Sequence, residues 1–212
     1  MSRLAAPVYG AGRMQLEFRV LELLASRLCH ELISPVGAIN NGVELLTDGD
    51  AGFVRDATTL IGQSARRAAM RLQFYRFAYG AGGVGGGAPD AKSLVAGILE
   101  GGKVRCDWPA EFDALPPPWQ KLACNLTLLT AELLPRGGTV VLARAGNGVS
   151  AMAAGESVNL TPELKAAVAP AVDVATLTAR TIHVYFTARY AEQIGATLTL
   201  SEADKTATFK AA

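Results

Sequence analysis

Apolar residues recur at helical spacing from residue 14 to about residue 46. Leu21, Leu24, Leu28, Leu32, Ile39, Val43 and Leu46 fall on one broad stripe, with Arg19, Glu22, Arg27 and Glu31 mostly outside it. The cluster Thr47-Asp48-Gly49-Asp50 interrupts the pattern as a turn. A second stripe follows at spacings of mostly three or four: Phe53, Ala57, Leu60, Ile61, Ala68, Leu72, Tyr75 and Tyr79. Two long helices joined by so short a connection must be antiparallel neighbours. A two-helix hairpin cannot cover its own apolar stripes. The second helix is also crowded with Ala57, Gly62, Ser64, Ala65, Ala68 and Ala69, small residues that permit close approach of another helix. The pattern therefore predicts a homodimer in which two hairpins form a four-helix bundle. The alternative is a hairpin that packs on the rest of its own chain.

The run Gly80-Ala-Gly-Gly-Val-Gly-Gly-Gly87 ends the second helix as a flexible linker. It contains Gly80-x-Gly82-x-x-Gly85, the spacing of a dinucleotide fingerprint. An aromatic helix precedes it instead of a strand, however, and no Gly-Lys-Ser/Thr follows, so it reads as a linker. Beyond it the texture changes to short alternating elements. Helices are predicted over 91–100, 119–134, 161–168 and 179–194, and strands over 103–108, 139–143, 149–153, 196–200 and 206–209. The fold class is α+β: a helical hairpin over 1–80, a Gly-rich linker over 81–90, and an α/β sandwich over 91–212 with helices on one face of a mixed sheet.

Composition narrows the function. The 212 residues are half hydrophobic with a formal net charge of +1, which suits a soluble globular protein and argues against nucleic-acid binding driven by bulk charge. Residues 1–8 lack a basic start followed by an apolar run, so no signal peptide is expected. No apolar stretch approaches the ~20 residues of a membrane span. Cys29, Cys106 and Cys124 are widely spaced with no Cys-x-x-Cys pair, and read as reduced thiols of a cytoplasmic protein.

The chemistry concentrates in Leu28-Cys29-His30-Glu31-Leu32-Ile33-Ser34-Pro35. A neutral imidazole nitrogen is a good nucleophile near pH 7 and can accept a phosphoryl group. Glu31 can take the proton from the other ring nitrogen, and Ser34 lies one turn later on the face of His30. Gly37, Ala38 and Asn41 continue that face, and Gly37 and Ala38 leave a low surface for a bulky partner. Pro35 removes a backbone donor and is expected to kink the helix. A Cys29–His30 dyad is disfavoured because adjacent helical residues point ~100° apart. Cys29 reads as a small buried hydrophobe and His183 as structural.

The His30-Glu31-x-x-Ser34-Pro35 box resembles the phosphoacceptor box of two-component histidine kinases, and the chain beyond the linker resembles their ATP-binding domain. In such kinases an asparagine before Gly-Gly-Thr holds magnesium. Counting back from Pro135 puts Leu129 there, with Asn125 one turn earlier and more apt for a structural role. The Asp-x-Gly-x-Gly adenine box is also missing at Ser150-Ala-Met-Ala-Ala-Gly155. A nucleotide site cannot be built from these substitutions. A retained fold with its kinase chemistry lost resembles the ChpT family of alphaproteobacterial histidine phosphotransferases. The resemblance implies a cytoplasmic homodimer acting as a phosphotransferase without autokinase or ATPase activity. It would take a phosphoryl group from the receiver aspartate of a CckA-like hybrid kinase and pass it to CtrA-like and CpdR-like response regulators. His30 would be the acceptor, Glu31 the proton acceptor and Ser34 a polar neighbour. No ATP, cofactor or metal ligand is then needed on this chain, since magnesium sits in the receiver. The docking surface is expected to use Ile33, Gly37, Ala38 and Asn41 with Arg66, Met70 and Phe74 of the second helix. An active ATP-dependent histidine kinase and a non-catalytic receiver-binding scaffold are the competing functions.

Overall fold

The computed structural model describes residues 17–47, 51–80 and 90–212. The start of the first predicted helix, the 48–50 turn and the Gly-rich run after Gly80 lie outside the described residues. Two long helices, α1 (Phe18–Thr47) and α2 (Ala51–Tyr79), form the hairpin that the two stripes predict. They meet on small residues. A Cβ on buried Gly42 would lie 2.6 Å from Ile61 Cγ1 and 3.3 Å from the Ala57 carbonyl, and Ala57 and Ser64 are themselves buried. Part of the small-residue surface of α2 is thus spent inside the hairpin.

The second unit begins with α3 (Ala91–Leu99), whose N-terminus is capped by the Asp90 carboxylate accepting from the Ser93 amide at 2.7 Å. Five strands follow as β1 (Val104–Asp107), β2 (Gly138–Ala145), β3 (Gly148–Ala154), β4 (Leu198–Ala203) and β5 (Thr206–Ala211), ordered β1-β2-β3-β5-β4. Only β1 and β2 are parallel, and helix α4 (Pro117–Glu132) supplies the crossover that parallel pairing requires. Helix α5 (Pro162–Val168), capped by Thr161, and helix α6 (Ile182–Gln193) complete the layer. Alternation sets the buried face: Val140 and Leu142, Val149, Ala151 and Ala153, and Ala207 and Phe209 point inward. The mixed sheet and the helix layer match the predicted sandwich, with element ends shifted by a few residues. Helix α6 starts at Ile182 because Thr178 and Thr181 exchange backbone and hydroxyl bonds in the turn before it. Two single 3-10 turns, Ala110–Phe112 and Val174–Thr176, are too short to leave a periodic signal.

Helix α4 is the keystone. Every residue from Leu122 to Thr130 is buried, because α4 lies between the sheet on one side and α2, α3 and α6 on the other. It also closes the end of α2, whose last carbonyls have no partner within their own helix. Asn125 Nδ2 donates to the Ala78 carbonyl at 3.2 Å, and Lys121 Nζ donates to that of Gly80 at 2.6 Å. The hairpin is thereby bonded to the second unit at the C-terminal end of α2.

Candidate functional site

His30 stands exposed near the middle of α1. At about 100° per residue, positions 30, 34, 37 and 41 share a face. His30, Ser34 and Asn41 are exposed there, while Gly37 and Ala38 are half-buried. A Cβ on Gly37 would meet nothing within 4 Å, so the surface below the histidine is low and open. Ile33 is 67% exposed beside it. Pro35 is buried, turned away from this face, and α1 runs through it as one continuous helix.

On α2 the expected docking residues separate. Arg66 is exposed. Met70 is half-buried, its tip filling the space that a Cβ on Gly97 of α3 would need. Phe74 is 0% exposed, edge-on to the Tyr75 ring at 5.8 Å. Phe74 is therefore core and not docking surface, and Met70 is committed to α3. The cause is tertiary: α3 and α4 cover the side of α2 that periodicity alone left open. Cys29 is likewise corrected, being exposed in this chain and not buried. Burial pushes the Cys106 thiol up to about 11 and raises that of Cys124 further, so neither is a ready nucleophile.

A cleft of about 540 Å³ opens between α1 and the second unit, with His30 at its edge. Helix α1 contributes Arg27, His30 and Glu31; α4 contributes Leu129 and Glu132, and Leu133 caps its end. Leu129, standing where a magnesium-binding asparagine is needed, offers this cleft a buried aliphatic wall and no oxygen. Asn125 points elsewhere: besides its bond to Ala78, its Oδ1 lies 3.0 Å from His183 Nε2. Both residues are fully buried, in the structural roles the sequence suggests.

Arg27, Arg71 and Glu132 escaped sequence reasoning. Arg27 is buried, and its guanidinium pairs with the Glu132 carboxylate across the cleft. His183 Nδ1 lies 3.7 Å from the same carboxylate. Burial works to raise the Glu132 pKa, but the neighbouring His183 imidazole and the charge of Arg27 outweigh it and leave the carboxyl below its ordinary value. Burial holds the His183 imidazole below its ordinary value despite the pull of Glu132. Burial opposes the Arg27 charge, yet the neighbouring Glu132 carboxylate leaves its pKa raised. Glu31, in turn, is paired with Arg71 of α2. One sequence signal for the network exists. Glu132 ends an apolar helix at the negative pole of its dipole, where an unpaired carboxylate is disfavoured.

Residues 88–206 match the family model described as histidine phosphotransferase C-terminal domain. A relative from Brucella abortus (strain 2308), described as protein phosphotransferase ChpT, is 35% identical over 180 residues, covering 82% of this chain and 85% of the relative. A solved structure described as a bacterial phosphotransferase superposes with a TM-score of 0.72 at 31% identity, covering 94% of this chain and 98% of that one.

Proposed function

This chain belongs to the histidine phosphotransferase family, and from that premise we propose that His30 carries the phosphoryl group, with Glu31 and Ser34 as its polar neighbours. As a member of that family it is a phosphorelay histidine phosphotransferase, moving phosphate between receiver domains. The observation that carries the assignment of His30 is its exposure on an open helical face at the edge of the cleft. The ring nitrogen attacks the phosphorus of a receiver's aspartyl phosphate, and the aspartate carboxylate leaves. A second receiver's aspartate then reverses the displacement. CckA-like donors and CtrA-like and CpdR-like acceptors are the partners proposed from the family. The docking surface is Ile33, Gly37, Ala38 and Asn41, extended by Arg66. The side chain of Leu129 argues for a relay without ATP.

The test is labelling. Labelled ATP alone is expected to leave the purified chain unmodified, whereas a phosphorylated receiver is expected to deposit an acid-labile phosphoramidate that maps to His30. Labelling by ATP alone would make the chain a kinase; receiver binding without phosphohistidine would make it a scaffold.

We place the working unit as a cytoplasmic homodimer built on the hairpin, with residues 1–80, 81–90 and 91–212 as hairpin, linker and α/β domain. Phe18, Leu21, Val36, Val43 and Leu46 are exposed and fall within about 80° of one another on α1, roughly opposite His30. Val54 and Leu72 of α2 are exposed as well. A second hairpin covering this stripe would leave the His30 face free. Charging the stripe through Val36→Glu with Leu72→Glu is expected to convert a dimer into a monomer in sedimentation. A wild-type chain that sediments as a monomer at every concentration would remove the bundle. Among the described residues no helix is long and apolar enough to cross a membrane.

A further inference from the structure

Two carboxylates line the cleft beside His30, and each is held by an arginine from a different part of the fold. Arg27 of α1 takes Glu132 of α4, and Arg71 of α2 takes Glu31 of α1. Arg27 and Glu31 are four residues apart on the same helix, the spacing at which opposite charges ordinarily pair. They do not pair here. Arg71 reaches across the hairpin and claims Glu31, which leaves Arg27 to bridge to the second unit. Arg71 itself lies outside the lining of the cleft, with about a third of its side chain exposed at 35%.

We propose that Arg71 is a positioning residue for phosphoryl transfer: it fixes the Glu31 carboxylate on the α2 side of the cleft and keeps it off Arg27. The proposal rests on the roles given above to His30 and Glu31. In the forward step the N–P bond forms as the P–O bond to the receiver's aspartate breaks, and the electron pair departs on that aspartate. The His30 ring becomes cationic, and the proton on its other nitrogen needs a carboxylate within reach. Without Arg71, Glu31 has a buried guanidinium one turn away as its nearest cation. Drawn there, it would swing along α1 toward Arg27 and away from His30. Receiver docking, which uses Ile33 to Asn41 on the open face, would be unaffected.

Single-turnover transfer from a phosphorylated receiver, followed over a range of receiver concentrations, separates these effects. Arg71→Met is expected to lower the maximal rate about tenfold while the half-saturating receiver concentration stays within about twofold. Arg71→Lys restores most of the rate, because it keeps the charge. Because Arg71 acts through Glu31 alone, the double variant Glu31→Gln with Arg71→Met transfers at the rate of Glu31→Gln. A double variant slower by the full Arg71 factor, or an effect confined to the half-saturating concentration, overturns the proposal and makes Arg71 a receiver contact. Melting curves of the variants are expected to change little, since a partly exposed ion pair contributes little to stability. Labelling of the wild type at His30 is the baseline. Its failure sinks the phosphoacceptor assignment, whereas a normal rate in Arg71→Met on that baseline sinks only the role of Arg71.

Discussion

His30→Gln is expected to abolish phosphoryl transfer, by roughly 10⁴-fold or more, while leaving the fold and the dimer intact. Removing a nucleophile costs on that scale because no other group can form the covalent intermediate. Glutamine keeps the polarity and some of the reach of the imidazole but has no neutral ring nitrogen with a lone pair to attack phosphorus. The alternatives nearby are poor. Cys29 is exposed but points about 100° away around the helix, and Ser34 is an exposed hydroxyl with no hydrogen-bonded base among the described residues. Stability is expected to change by less than about 0.5 kcal/mol, because His30 is exposed and makes no hydrogen bond among the described residues. Phosphate mapping, circular dichroism and receiver binding on the same sample check all three statements. Transfer that persists in a folded His30→Gln chain would move the acceptor elsewhere.

The hairpin, the sheet and the shared face of His30, Ser34, Gly37 and Asn41 were legible because each rests on local periodicity. Positions 30, 34, 37 and 41 share a face by helix geometry alone, and the helices and strands from residue 90 onward carry their own caps and turns. What the sequence did not disclose is how the two units sit against one another. Arg27 reads as a solvated residue beside an apolar stripe, yet its partner Glu132 is 105 positions away. Phe74 reads as a candidate surface aromatic, but α3 and α4 bury it. Met70 reads as a docking residue for the same reason, although the absence of a Cβ at Gly97 lets it lock into α3. Cys29 errs in the other direction, exposed where the sequence reads a small buried hydrophobe. The errors at Arg27, Met70 and Phe74 lie at the contact between units, where tertiary packing overrides a helix's own pattern.

That contact carries the second large effect. Arg27→Met is expected to destabilise the chain by about 3–5 kcal/mol at neutral pH, the scale of breaking a buried ion pair. The lower half of that range suits this site, because about a third of the Glu132 side chain, 34%, is open to the cleft. The cost comes from the stranded partner: the Glu132 carboxylate is left against His183, which is fully buried. Replacing both partners by Arg27→Met with Glu132→Leu is therefore expected to recover much of the loss. A double variant as unstable as the single one would show that packing, not charge, is responsible. The pH dependence gives an independent check. His183 is held below its ordinary 6.5, so the unfolded chain takes up that proton first and stability falls as pH drops below about 6.5. Glu132 is held below its ordinary 4.5; its contribution is present above that value and is lost as pH falls further. Arg27 is one of the charges that keep His183 neutral. Removing it leaves Glu132 to draw a proton onto the imidazole, so the variant is expected to lose less stability than the wild type between pH 7 and 5.5. Urea unfolding at several pH values measures both slopes. Equal slopes in wild type and Arg27→Met would separate His183 from the Arg27–Glu132 pair and leave the buried histidine bound to Asn125 alone.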